Sequence, residues 1–152
     1  MKWITTPNVH FDRVASAWVI KRFIDPDAEF LFEAKGEESK RPVDATPFSI
    51  PGAKLGPHDE NGPTFAKVVR EYKLTDPAID MIVKVVEDGI GYFMNDYRPK
   101  PDDRLGQIAV GYLAFSDGMI LVEKSDQKRI DASLVAYDAL YTAFKANRHQ
   151  HS

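Results

Sequence analysis

The 152-residue sequence predicts an α+β fold, a mostly helical single domain with a small sheet near the N-terminal half. Three observations point there. Two short runs rich in aromatic and β-branched residues, Lys2–Thr5 and Glu29–Glu33, bracket one helical segment, a pattern that pairs two strands in parallel through a crossover. Four later segments carry apolar residues at helical spacing. Leu, Ile, Val and Phe together make up about a quarter of the chain, above the roughly 20 % below which chains tend to stay disordered. The length suits one domain over residues 1–152, with 146–152 as a frayed tail.

Each element follows from local chemistry. Lys2–Thr5 stops at Pro7 and enters a loop at Asn8-Val9-His10. From Asp12 to Ile24, Phe11, Val14, Ala15, Trp18 and Val19 recur at helical spacing, and Asp25-Pro26 ends the pattern because proline disfavours helix in its predecessor. Ala17, Ile20 and Ile24 add apolar surface on the other side, so this helix is expected to lie between layers. The stretch 35–63 is rich in Pro, Gly and charge and reads as loop with at most short edge strands, one of them around Pro47–Pro51. Thr64 is expected to cap a helix running to Lys73, and Asp76-Pro77 to open another with Ile79, Ile82, Val83 and Val86 inward. After Gly89-Ile90-Gly91 an aromatic and charged stretch runs to Asp103, and Ile108–Phe115 reads as a helix carrying Gly111. Ile130, Leu134, Tyr137, Leu140, Tyr141 and Phe144 form the stripe of a last helix.

Composition narrows the function. Twenty basic and 23 acidic residues give a net charge of −3, and no Lys/Arg block forms a phosphate-tracking surface, so direct nucleic-acid binding is not expected. The absence of cysteine removes disulfides, zinc-thiolate sites, iron–sulfur clusters and thiol nucleophiles, and fits a cytoplasmic protein. No uninterrupted apolar run reaches a membrane span's length, and Met1-Lys2-Trp3 opens no signal core, so no membrane association is expected. Walker loops, GxSxG elbows, GxGxxG turns and HExxH pairs are absent.

Two clusters could carry chemistry. His10-Phe11-Asp12-Arg13 sits between a predicted strand and helix, where free helix amides and the dipole favour anions. Imidazole with carboxylate suits zinc, manganese or iron, and a second donor set stands at His58-Asp59-Glu60-Asn61. The expected metal set is His10, Asp12, His58 and Glu60, with Asp59 as an alternative to Glu60. Against it stands the reading in which Asp12 only caps its helix and His10 is a loop residue. Arg13, beside this cluster, is a candidate contact for a small anionic ligand. Arg22 lies within an otherwise apolar helix face and either pairs with a carboxylate such as Asp138 or offers its fork to an oxyanion. His149 and His151 lie in the tail and would bind stray metal.

His10-Phe11-Asp12-Arg13-Val14-Ala15-Ser16-Ala17-Trp18, the continuation Ile20–Pro26 and Ala28–Phe32 resemble the C-terminal domain of ChrB-type chromate-resistance proteins. The likeness continues through Phe48–Gly52, Leu55–His58 and Thr64-Phe65 and returns at Tyr137–Tyr141, covering about residues 2 to 146. It implies a role in chromate response. Full-length members of that family join this domain to an N-terminal segment and act as chromate-sensitive regulators; the present chain looks like the stand-alone domain, so a DNA-binding role is not carried over. The family's His-x-Asp-Arg and loop His fall on His10, Asp12, Arg13 and His58. Members often carry a Cys shortly before the Thr-Phe pair, where this chain has Pro63, which argues against thiol chemistry. The turn is also similar to the His-x-Asp-x-x-x-Ser-Ala turn of DHH-type phosphoesterases, whose manganese sites follow a first strand; the other motifs and the two-domain length of those enzymes are lacking here. The expectation is a small domain that binds a divalent metal and an oxyanion, with metal-assisted chemistry on an anionic substrate. The alternative is an oxyanion-responsive sensor or interaction module without catalysis. A homo-oligomer is compatible with either.

Overall fold

The computed structural model describes residues 1–147. Three parallel strands form the sheet: β1 (Lys2–Thr5), β2 (Glu29–Phe32) and β3 (Ala45–Pro47), in the order β2-β1-β3. The register pairs Trp3 with Phe30 and with Thr46, so β1 is central and its Trp3 is fully buried. The strand β3 ends at Pro47, where the apolar stretch expected as an edge strand begins, so the edge lies earlier in the chain than expected; its proline is tolerated because β3 is an edge.

Helix α1 (Phe11–Val19) crosses from β1 to β2 and is buried on nearly every side, as its two apolar faces required. Its last turn, Ile20–Ile24, widens into a π-helix closed by the Asp25 N–H bond to the Ile20 carbonyl at 2.7 Å. Asp25 is held beyond it by the Trp3 indole and the chain's amino terminus, each at 2.9 Å, and Pro26 stops any further turn.

Helices α2 (Thr64–Glu71), α3 (Pro77–Met94), α4 (Arg104–Val122) and α5 (Asp126–Asn147) complete the fold, with α1 in contact with all four. Trp18, Phe65, Tyr137 and Tyr141 cluster where α1, α2 and α5 meet. The Asp76 carboxylate caps α3 through the Ala78 N–H at 2.9 Å, with Pro77 in the first turn.

Four expectations need correction. Thr64 does not cap α2: it is the helix's first residue, and its hydroxyl donates to the Gly56 carbonyl at 2.8 Å. Helix α3 runs on through Gly89 and Gly91 to Met94, since the missing side chain at Gly89 is the space that the Phe11 ring fills. Helix α4 begins four residues before Ile108 and ends seven after Phe115, because packing against α3 outweighs the low propensity of its glycines. Ala146 and Asn147, expected in the frayed tail, belong to α5; Arg148 to Ser152, with His149 and His151, lie outside the described residues.

Candidate functional site

The turn from β1 to α1 is built by tertiary hydrogen bonds. Asn8 takes a left-handed conformation (φ 62°), open to asparagine more than to most residues. The Arg13 guanidinium reaches back over this turn and donates to the Thr6 hydroxyl at 2.8 Å, the Pro7 carbonyl at 3.1 Å and the Asn8 carbonyl at 2.8 Å. From the other side, Asp126 accepts the Val9 N–H at 2.8 Å and buried Arg129 donates to the Val9 carbonyl at 3.1 Å. The Phe11 N–H, free at the start of α1, donates to the Ser116 hydroxyl of α4 at 2.9 Å.

Asp12 caps a helix, but not its own. Its two carboxylate oxygens accept the Thr64 and Phe65 N–H groups, each at 2.9 Å, at the N-terminus of α2. Burial raises its pKa above the ordinary aspartate value, and the Phe65 and Thr64 amides, His58 and Arg13 oppose the rise. Burial likewise lowers the pKa of Arg13, against the pull of Asp126 and Asp12; a guanidinium still keeps its charge.

His10 precedes α1 without capping it, and its Nε2 lies 2.7 Å from Asp117 Oδ1 of α4. His10, Asp12, Arg13 and His58 all line one pocket of about 230 Å³, together with Ser49. Phe11, Ile90, Phe93, Met94 and Leu113 form its apolar wall. Glu60 is exposed and does not line it. The neighbouring Asp59 is tied to Lys67 at 2.9 Å and to the Asn61 N–H at 2.8 Å, which lowers its pKa. Among the described residues, no three His, Asp or Glu side chains gather as a group that could hold a metal ion. Arg22 is engaged by Asp138 through two bonds of 3.0 and 2.9 Å, and Asp138 also accepts the Trp18 indole N–H at 2.8 Å.

Sequence reasoning missed Asp117, Ser49, Ser116 and the wall from α3. For Asp117 a signal existed: it is the one carboxylate in the apolar run 105–122. For Ser49 there was none, since its left-handed backbone (φ 55°) and its place in the pocket come from the path of the loop.

No solved structure shows a significant match to this chain. Protein ChrB of Cupriavidus metallidurans is 44 % identical to it over 52 residues, which is 34 % of this chain and 15 % of that protein. The match thus spans a small part of that relative's length. A family model described as "ChrB, C-terminal domain" matches residues 3–144, a range that takes in every element except the ends of β1 and α5. The chain therefore belongs to the ChrB C-terminal domain family.

Proposed function

We propose that the chain serves chromate response by binding a small oxyanion in the pocket lined by His10, Arg13, Ser49 and His58. The balance of hydrogen-bonding groups carries this reading. The lining offers the His58 imidazole, the second nitrogen of His10, the Ser49 hydroxyl and the charge of an Arg13 guanidinium held in place by the Thr6–Asn8 turn, while Asp12 accepts from two backbone amides and Asp117 meets His10. The apolar wall strengthens such contacts by lowering the local dielectric. A volume of about 230 Å³ suits an ion-sized ligand better than a drug-sized one, whose pockets start near ~300 Å³.

A second reading adds a divalent metal at His10, Asp12 and His58, and one observation favours it. An imidazole nitrogen held by a carboxylate, as His10 is by Asp117, is the arrangement that orients metal-ligating histidines. Zinc, manganese and ferrous iron fit the donor types. Binding would require the exposed His58 loop to close over the turn, and the metal would polarise an oxygen of the anionic ligand.

Calorimetric titration with chromate, molybdate, sulfate and phosphate tests the first reading. Saturable binding of a tetrahedral oxyanion, weakened at least tenfold in His58→Ala, is expected; equal affinity in that variant overturns it. For the second, elemental analysis of dialysed protein ending before His149 should find about one metal per chain. No metal, and no thermal shift on adding zinc, manganese or iron, overturns it.

A further inference from the structure

Helix α4 has two apolar faces and covers one of them. Gly106, Ala109, Leu113 and Ser116 are buried. Yet over an 18-residue window the helix has a mean hydropathy of 1.5 and is only 17 % buried, making it long and apolar enough to cross a membrane by length and composition. Counting uninterrupted runs missed this because Gln107, Ser116 and Asp117 break the run without lowering the average below that level. A helix apolar all round is ordinarily covered all round.

The bare face is ordered. Gly111, Ala114 and Phe115 recur seven residues later as Gly118, Leu121 and Val122, the period that keeps an apolar seam facing another helix. Phe115 is 44 %, Leu121 73 % and Val122 79 % exposed, and a Cβ on Gly111 or Gly118 would meet nothing within 4 Å. On α5, Ala132, Val135, Ala136 and Ala139 continue the patch at i, i+3, i+4 and i+7. The Tyr112 hydroxyl joins the helices by donating to the Ala136 carbonyl at 2.8 Å, above a groove of about 350 Å³.

We propose that this face binds the same face of a second copy, α4 against α4 in antiparallel sense about a two-fold axis. A two-fold interface must be self-complementary, and this face carries both the projecting Phe115 and the groove beside it. Charge sets the direction. The seam itself is uncharged, Arg104 begins α4 and Glu123 follows its end, so antiparallel pairing places Arg104 opposite the partner's Glu123 and opposes the helix dipoles. The apolar face runs the length of α4, about 28 Å at ~1.5 Å rise per residue, and reaches across the groove to Ala136 of α5.

Sedimentation of the full chain over rising concentration should show the 17.1 kDa monomer converting to a species of twice that mass. Phe115→Asp and Val122→Asp, each checked for retained helicity, should raise the midpoint at least tenfold. Because the sequence lacks cysteine, single cysteines report geometry cleanly. Ala114→Cys should give a disulfide-linked dimer on mild oxidation and exposed Glu38→Cys should not. Mixed Gly111→Cys and Gly118→Cys chains should cross-link to each other. A monomer at every concentration overturns the proposal, including a monomer that floats with phosphatidylcholine vesicles, which would assign the face to a membrane. A dimer indifferent to both aspartates overturns the face, and self-linked Gly111→Cys dimers overturn the direction.

Discussion

The two donor clusters of this protein hold the same residue types in opposite ways. In the turn cluster two polar groups are fixed from a distance, Asp12 by α2 and His10 by α4, and Arg13 is fixed locally across the turn it closes. In the loop cluster, Asp59 and Gly62 bond each other's backbone, Asp59 takes the Asn61 N–H, and the outside ties come from α2: Lys67 to Asp59 and Arg70 to the Asn61 carbonyl. Their aspartates accordingly shift in opposite directions, Asp12 upward by burial and Asp59 downward by Lys67. The turn half of the pocket is thus tied to α2, α4 and its own turn, and the loop half, among the described residues, to α2 alone.

If that contrast is right, the largest loss should come from disturbing the turn's packing. Gly89→Ala drives a methyl into the Phe11 ring and should cost about 2–3 kcal/mol, read by chemical denaturation. Asp12→Ala, which leaves the Thr64 and Phe65 amides without their acceptor, should cost about 1–2 kcal/mol by the same measurement. A smaller effect should separate the two aspartates by pH. Asp12, raised on folding, stabilises most below its unfolded pKa and loses that contribution as pH rises through its folded value; Asp59, lowered, contributes above its unfolded pKa and loses it as pH falls through its folded value. Stability followed from neutral pH into the acid range should therefore fall more steeply in Asp12→Asn and less steeply in Asp59→Asn than in the parent. The smallest effect is expected from His58→Ala: exposed, it should leave stability within about 0.5 kcal/mol while weakening anion binding. A large loss of stability there would erase the contrast.

The legible parts of the fold were those set by neighbours in sequence. Strands β1 and β2, the buried character of α1, the Asp76-Pro77 start of α3 and the stripe of α5 all follow from periodicity and capping chemistry. Arg22 stood out as a charge on an apolar face, and Asp138, already named as its carboxylate, engages it. What failed depended on remote partners. Thr64 had the right chemistry for a cap but lost the role to a carboxylate 52 residues away, Gly89 is kept helical in α3 by the close approach of Phe11, and α4 keeps its glycines helical through the packing of its other face on α3.

By itself, the sequence determined the mostly helical class, the parallel strand pair and the lack of thiols, and singled out His10, Asp12, Arg13 and His58 as candidates, because those rest on composition, period and local turn chemistry. Only the tertiary structure decided that these four line one pocket and Glu60 does not, that Asp117 holds His10, and that one apolar face of α4 stays bare. Such facts depend on contacts between residues far apart in the chain, and a period of 3.6 residues shows which side of a helix is apolar without showing what, if anything, covers it.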